Sequence, residues 1–119
     1  MLNRILRAMA GPRATAPETD VARTARARAG GGTQIVDVRE PDEWAAGHIP
    51  GALHIPLGDL GRRMGELRAD RPVITVCRSG RRSLSAAEAL LKSGFVDAAS
   101  LAGGMIAWNN AKQPVESSR

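Results

Sequence analysis

The fold is indicated first by one stretch of the chain, Val73-Ile74-Thr75-Val76-Cys77-Arg78-Ser79-Gly80-Arg81-Arg82-Ser83. Four β-prone residues lead directly into the only cysteine of the protein, and a glycine and three arginines follow it. Residues 84–91 are rich in leucine and alanine, which favour a helix. The stretch therefore predicts a buried strand at 73–76, a tight loop, and a helix at 79–92 that stops before Gly94.

The start of that helix creates a reactive environment for Cys77. Backbone N–H groups at a helix N-terminus have no intrahelical partner, and Gly80 is expected to let the loop curl so that these groups point inward. Such groups, the helix dipole and nearby arginines all favour a thiolate over a thiol. The pattern indicates a nucleophile that attacks or carries an anionic group. The alternative, a small buried apolar side chain, fits poorly with so many cationic neighbours.

Apolar strand-like segments alternate with helical ones on both sides of this stretch. Further strands are predicted at 34–38, 53–55 and 97–101, and helices near Pro41, at 57–67 and at 105–110. Residues 18–29 predict only a weak helix, because its apolar face consists of Val21 and alanines. This alternation predicts an α/β fold with a short, mostly parallel sheet flanked by helices on both faces. Cys77 would lie at the carboxyl edge of that sheet.

Length and composition favour one folded domain. The chain has 119 residues, of which 43% are hydrophobic, enough for a modest core. Its net charge of +5 is concentrated at residues 1–30, where six arginines face Glu18 and Asp20. We therefore expect a basic, Arg/Ala-rich, partly flexible leader at 1–30 and the folded domain at 31–116. Nucleic-acid binding is not predicted, because no aromatic residues interleave with this charge.

The cysteine count and the N-terminus bear on the cellular compartment. One cysteine excludes a disulfide within the chain and indicates a reducing compartment, for which we predict the cytoplasm. The first ten residues place apolar side chains at helical spacing opposite two arginines, so the mitochondrial matrix is the alternative. No run of sequence approaches the roughly 20 apolar residues of a membrane-spanning helix.

Four segments, in order, resemble motifs of the rhodanese (thiosulfate sulfurtransferase) family, of the small single-domain type. Residues 77–83, C-R-S-G-R-R-S, are similar to the active-site loop of that family. The other segments resemble its opening strand and "DVRE" turn (35–44), its "GHIPGA" stretch (47–56) and its closing "L-x-G-G-M-x-x-W" (101–108). The resemblance covers residues 34–114. It implies the rhodanese-like fold and a Cys77 that holds a sulfane sulfur as a persulfide.

The resemblance also implies a function. We expect a sulfurtransferase that moves sulfur from thiosulfate or a persulfide donor, through Cys77, to cyanide or a thiol acceptor such as a thioredoxin-like protein. No cofactor and no metal are needed. The loop N–H groups would stabilise the persulfide anion as an oxyanion hole does. The predicted substrate-binding residues are Arg78, Ser79, Gly80, Arg81, Arg82 and Ser83, with structural support from Asp37, Arg39 and His48.

The loop side chains receive different predicted roles. Arg78 and Arg81 are the candidates for binding an anionic donor, because guanidinium groups match oxyanions in fork geometry. Arg82 stands at the arginine position of the family motif and is expected to pair with an acid and fix the loop. Ser79 and Ser83 have the chemistry to cap the helix or to donate to the sulfur, and we favour capping.

Other interpretations of Cys77 compete with sulfur transfer. Cysteine phosphatases and arsenate reductases need C-x5-R, whereas Arg82 follows Cys77 after four residues. The shorter loop suits one sulfur atom better than a phosphate. A second alternative is a non-catalytic rhodanese-like interaction or sulfur-carrier module, against which the intact loop argues. A triad with His48 and Asp37 is not expected, because a thiolate that is already formed needs no general base.

Overall fold

The computed structural model describes residues 16–117. Residues 1–15 are outside the described residues, and they include the first half of the predicted leader and the helical spacing of apolar side chains that suggested the mitochondrial matrix. The strands are β1 (Glu18–Thr19), β2 (Gln34–Asp37), β3 (Leu53–His54), β4 (Val73–Val76) and β5 (Ala98–Leu101). The helices are α1 (Val21–Gly30), α2 (Pro41–Ala46), α3 (Leu60–Arg63), α4 (Arg81–Lys92) and α5 (Gly104–Asn110). Short 3-10 turns, Leu57–Asp59 and Met64–Glu66, flank α3.

The five strands form one parallel sheet in the order β1-β5-β4-β2-β3. Strand β4 lies at its centre and is buried along its whole length. The predicted α/β class and parallel sheet are confirmed. Since all strands run the same way, the loops after them meet at one edge of the sheet, and Cys77 lies at that edge.

Helices cover both faces of the sheet. Successive strand residues point to opposite faces. Val73 accordingly joins the apolar cluster that includes Val36 and Leu90 of α4, whereas Ile74 joins the cluster that includes Trp108 of α5. Cys77 belongs to the cluster on the α4 face. This alternation explains why a strand of four apolar and β-branched residues is buried on both sides.

The predicted leader contributes regular structure where it is described. Glu18–Thr19 pairs with Ser100 and Leu101 of β5 as a fifth strand. Helix α1 therefore begins three residues later than predicted, after Asp20, whose carboxylate accepts the Arg23 N–H at 2.8 Å. A two-residue strand is too short to produce a recognisable pattern. The division of the chain at residue 30 stays a prediction.

Within residues 16–117, no helix is both long enough and apolar enough to cross a membrane. The longest helix among these residues is α4, which spans 12 residues and buries one side against the sheet. It begins at Arg81 rather than at residue 79, because Gly80 takes the cap position with a left-handed backbone.

Candidate active site

The Cys77 loop turns sharply between β4 and α4, and the turn depends on Gly80. Gly80 has φ +109°, a conformation that side-chain-bearing residues rarely adopt. A Cβ atom there would also lie 3.3 Å from the backbone nitrogen of Gly103. This conformation lets the Gly80 N–H donate to the Cys77 sulfur at 3.0 Å. The role predicted for Gly80 thus matches its geometry.

A second donor to the sulfur comes from inside α4. The Ser83 hydroxyl donates to Cys77 Sγ at 3.4 Å, and Ser83 itself is fully buried. The preferred prediction that Ser79 and Ser83 cap the helix is wrong, because Gly80 is the cap residue. Since the helix starts at Arg81, Ser83 is its third residue and lies in the first turn, with its hydroxyl directed toward Cys77. The side chain of Ser79 is exposed.

These donors act on the acidity of the thiol. Cys77 is only 1% exposed, and its burial raises the pKa of the thiol. Hydrogen bonds from the Ser83 hydroxyl and from the backbone N–H groups of Ser83, Gly80 and Ser79 lower it by more. The pKa of Cys77 therefore lies below its ordinary value. The loop favours an anionic sulfur in a site that is closed to bulk water.

Arg82 is engaged in holding the loop. Its guanidinium donates two hydrogen bonds to the Glu43 carboxylate of α2, at 2.8 and 3.0 Å. The bond from Arg82 lowers the pKa of Glu43 to about 2, and the same pair raises the pKa of Arg82. Arg82 therefore pairs with an acid, as predicted. The partner was not predictable, because Glu43 lies 39 residues earlier in the chain.

Arg78 and Arg81 are placed differently. Both are exposed, and within the described part of the chain neither forms an ion pair with a carboxylate. Arg78 follows Cys77 directly and Arg81 opens α4. Their guanidinium groups are thus available at the rim of the loop. Their assignment to donor binding stays a prediction.

Asp37 and Arg39 form a buried pair at the end of β2. Arg39 Nη2 donates to Asp37 Oδ2 at 2.6 Å and to the carbonyl of Gly47 at 2.7 Å. The pair therefore joins the "DVRE" turn to the "GHIPGA" segment. Each charge is satisfied by the other and by backbone groups, which is what burial of two ions requires. This geometry fits the predicted supporting role.

His48 is also tied to the scaffold. Its Nδ1 donates to the Trp44 carbonyl at 2.8 Å, its ring stacks on Trp44 at 3.5 Å, and its Nε2 lies 3.5 Å from Glu116 Oε1. Among the described residues, neither His48 nor Asp37 hydrogen-bonds to Cys77, so no catalytic triad is formed. Nor does any cluster of His, Cys, Asp and Glu within 16–117 have the makings of a metal site.

The start of α5 closes the loop from the other side. The N–H of Met105 donates to the Cys77 carbonyl at 2.8 Å, and the N–H of Ile106 donates to the Arg78 carbonyl at 3.1 Å. Gly104 permits this approach, since a Cβ there would lie 2.6 Å from the Arg78 oxygen. The closing motif at 101–108 was recognised in the sequence, but its contact with the Cys77 loop was not. The adjacent glycines Gly103 and Gly104 were the feature of the sequence that could have indicated this close contact.

Ser100 is the second group that sequence reasoning missed. It lies on β5, fully buried, with its hydroxyl 2.7 Å from that of Ser83. A serine in a short strand gives no sign of contact with an active-site loop. The link appears only when β5 pairs with β4 and brings residue 100 beside α4.

Comparison with known proteins identifies the family of the chain. A family model described as "Rhodanese-like domain" matches residues 21–111. The chain is 42% identical over 81 residues to a sulfurtransferase of Allochromatium vinosum, which covers 68% of this chain and 76% of that protein. It is 43% identical over 74 residues to the putative sulfur carrier protein YrkF of Bacillus subtilis, covering 62% of this chain and 40% of that one.

Solved structures agree as well. A rhodanese-like domain protein from Staphylococcus aureus superimposes with a TM-score of 0.78 at 29% identity, over 87% of this chain and 99% of that one. The chain spans between 21% and 60% of the length of four of the curated relatives it matches. Because the family model matches residues 21–111, the chain belongs to the family of rhodanese-like proteins, and its relatives named above are a sulfurtransferase and a putative sulfur carrier protein.

Proposed function

We propose that this protein is a sulfurtransferase in which Cys77 takes sulfane sulfur from an anionic donor, thiosulfate or a persulfide, and passes it to cyanide or a thiol. One observation carries the proposal. The Cys77 sulfur lies 3.0 Å from the Gly80 N–H and 3.4 Å from the Ser83 hydroxyl, inside a loop that opens a helix. That arrangement supports an anionic sulfur at this position.

The chemistry balances without a cofactor. The Cys77 thiolate attacks the outer sulfur of thiosulfate, the bond between the two thiosulfate sulfurs breaks, and sulfite leaves with the electron pair. Charge is conserved, since a thiolate and a dianion become a persulfide anion and sulfite dianion. Cyanide or an acceptor thiolate then attacks the terminal sulfur of the persulfide. Thiocyanate or a new persulfide leaves, and the Cys77 thiolate returns.

Groups of the loop have a role in each step of the proposed reaction. A lowered thiol pKa keeps the nucleophile ionised before attack. The inward amides then face the negative charge of the persulfide, in a site with little water to screen them. Arg78 and Arg81 at the rim would hold the anionic donor, since no described carboxylate competes for them.

The single cysteine determines how the cycle must end. The chain has no second thiol to displace the sulfur from Cys77. An external acceptor therefore has to reach the persulfide, whether cyanide, a small thiol or a thioredoxin-like protein. The cytoplasm, predicted from the same cysteine count, stays a prediction for the place where this happens.

A sulfur-carrier role is the second candidate, and the name of one relative favours it, since that relative is a putative sulfur carrier protein. The residue Cys77 is 1% exposed, and this burial restricts small and protein acceptors alike, so it does not distinguish the two roles. Phosphatase chemistry has less support. Arg82, which stands one residue before the arginine position of the C-x5-R motif, binds the Glu43 carboxylate.

Intact mass spectrometry after treatment with thiosulfate tests the proposal. We expect a gain of one sulfur atom that dithiothreitol or cyanide removes, and no gain in Cys77→Ser. Steady thiocyanate formation from thiosulfate and cyanide would favour the transferase. A persulfide that forms but does not turn over would favour the carrier. If neither thiosulfate nor polysulfide adds sulfur to Cys77, the proposed function is wrong.

A further inference from the structure

Two buried serines form a chain that leads from the Cys77 sulfur into the core. Ser83 Oγ lies 3.4 Å from Cys77 Sγ, and Ser100 Oγ lies 2.7 Å from Ser83 Oγ. Both serines are 0% exposed. Ser100 Oγ also lies 3.4 Å from the carbonyl oxygen of Gly80. The chain thus begins at the sulfur and ends on the loop that surrounds it.

The number of protons in this chain restricts its arrangement. Each hydroxyl has a single proton to donate. If Ser83 donated to Ser100 across the 2.7 Å contact, it would have none left for the sulfur. If Ser100 donates across that contact instead, the Ser83 proton is free to point at Cys77 Sγ. The orientation of Ser100 therefore decides what the sulfur receives.

The protonation state of Cys77 selects between the two orientations. With a thiolate, Ser100 donates to Ser83 and Ser83 donates to the negative sulfur. With a thiol this preference is lost, and the reversed order becomes accessible, in which Ser83 donates to Ser100 and Ser100 donates to the Gly80 carbonyl. When Ser100 donates to Ser83, the last hydrogen bond of the series is made to the charged thiolate, and hydrogen bonds to a charged group are roughly twice as strong as neutral ones. This order also gains because aligned hydroxyls polarise one another.

We propose that Ser100 is a positioning residue of the Cys77 site, which donates to Ser83 and so directs the Ser83 proton onto the sulfur. It touches no reacting atom and acts through Ser83. The effect concerns the thiolate itself, and only its consequence for sulfur transfer rests on the proposed function. Ser100 on the neighbouring strand thereby tunes a nucleophile that lies on a different element.

The charged groups near the sulfur have to be separated from this effect. They are Arg78 in the loop, Arg81 and Arg82 at the start of α4, and Glu43 of α2, which binds Arg82. The buried Asp37–Arg39 pair at the end of β2, beside β4, and Glu40 just before α2 complete the set. Strand β5 and helix α5 contain no titratable side chain. A neutral substitution at residue 100 therefore leaves every one of these charges in place.

A double-mutant cycle on the thiolate tests the proposal. The pKa of Cys77 is read from thiolate absorbance at 240 nm against a Cys77→Ser blank, in the wild type, Ser83→Ala, Ser100→Ala and the double variant. We expect Ser83→Ala to raise it by about one unit and Ser100→Ala by about half a unit. Because Ser100 acts through Ser83, the double variant should titrate like Ser83→Ala alone.

Two further variants control for a merely structural effect. Thr75→Val removes a buried hydroxyl of β4 that binds the Ser83 carbonyl at 2.6 Å and not its hydroxyl, so the pKa should stay at the wild-type value. Ser100→Thr keeps the donor and should restore the wild-type pKa, with thermal unfolding to verify the fold. An unchanged pKa in Ser100→Ala would overturn the proposal. So would a further rise in the double variant, which would mean that Ser100 acts through Gly80. The titration uses no sulfur donor, so it stands whether or not transfer occurs.

Discussion

The Arg82 guanidinium grips the Glu43 carboxylate with both of its terminal nitrogens, at 2.8 and 3.0 Å. This pair ties the start of α4, and with it the Cys77 loop, to the short helix α2. Glu43 Oε1 also accepts the Glu40 N–H at 2.9 Å, so the same carboxylate closes the first turn of α2. One side chain therefore connects the two segments that frame the loop.

Glu43→Gln tests how much this pair stabilises the fold. Gln keeps the shape and the acceptor for Glu40 but removes the charge that Arg82 binds. For a partly exposed, two-bond pair we expect a loss of about 1 kcal/mol in the free energy of unfolding at pH 7. Urea unfolding measures it. Glu66→Gln, which breaks the exposed Arg63–Glu66 pair, is the control and should lower the free energy of unfolding by less than Glu43→Gln does.

The same variant makes a pH-dependent prediction. The pKa of Glu43 falls from 4.5 to about 2 on folding, because the folded state binds its charged form. A depressed pKa stabilises the protein above pH 4.5, and this contribution is lost as the pH falls toward 2. The difference between wild type and Glu43→Gln should therefore be constant from pH 7 to 5 and shrink below that. A difference that grew in acid would contradict this origin.

Gly80→Ala should damage both the fold and the sulfur site. Alanine would have to adopt φ +109° and place its Cβ 3.3 Å from the Gly103 nitrogen. Left-handed backbone strain alone costs roughly 1–2 kcal/mol. We expect a loss of about that size in urea unfolding, and a higher Cys77 pKa if the N–H moves from the sulfur. In Gly61→Ala, where nothing lies within 4 Å of the new Cβ, stability should be unchanged or higher.

Gly104→Ala should destabilise the protein by more than left-handed backbone strain alone would. Gly104 has φ +52°, and its Cβ would press on the carbonyls of Cys77 and Arg78 that α5 holds. Gly94 has φ +98° with nothing within 4 Å, so Gly94→Ala reports backbone strain alone. Thermal unfolding of the two variants should show the larger loss for Gly104→Ala. Equal losses would mean that α5 does not press against the loop as the structure has it.

The Cys77 loop could be predicted from the sequence, but most of the groups that contact the loop could not. Strand β4, Cys77 and Gly80 are consecutive in the chain, so local propensity and the glycine were enough to predict the loop. Ser83 is also close to Cys77 in the sequence, but its role depended on where α4 begins. Because Gly80 is the cap residue, the Ser83 hydroxyl does not cap the helix and donates to the Cys77 sulfur instead. An error of one or two residues in a predicted helix start is thus enough to assign a side chain the wrong role.

More distant contributions had no local signal. Glu43 and Ser100 reach the loop from other elements, and only the order of strands in the sheet brings them there. By contrast, Asp37 and Arg39 are two residues apart and were both predicted to give structural support, although their pairing with each other was not predicted. Contacts between neighbours in sequence follow from its pattern, whereas contacts across the sheet follow from packing.

Arg78→Ala and Arg81→Ala decide which rim arginine binds the donor. Both side chains are exposed and unpaired among the described residues, so their removal should leave the free energy of unfolding within about 0.5 kcal/mol of the wild type. Loss of a guanidinium that binds the donor should raise KM for thiosulfate several-fold and leave kcat nearly unchanged, because ground-state binding is what disappears. Arg62→Ala, which removes an exposed arginine of α3 that pairs with Asp59, is the control. A KM that neither substitution moves, at low and at high salt, would take both arginines out of donor binding.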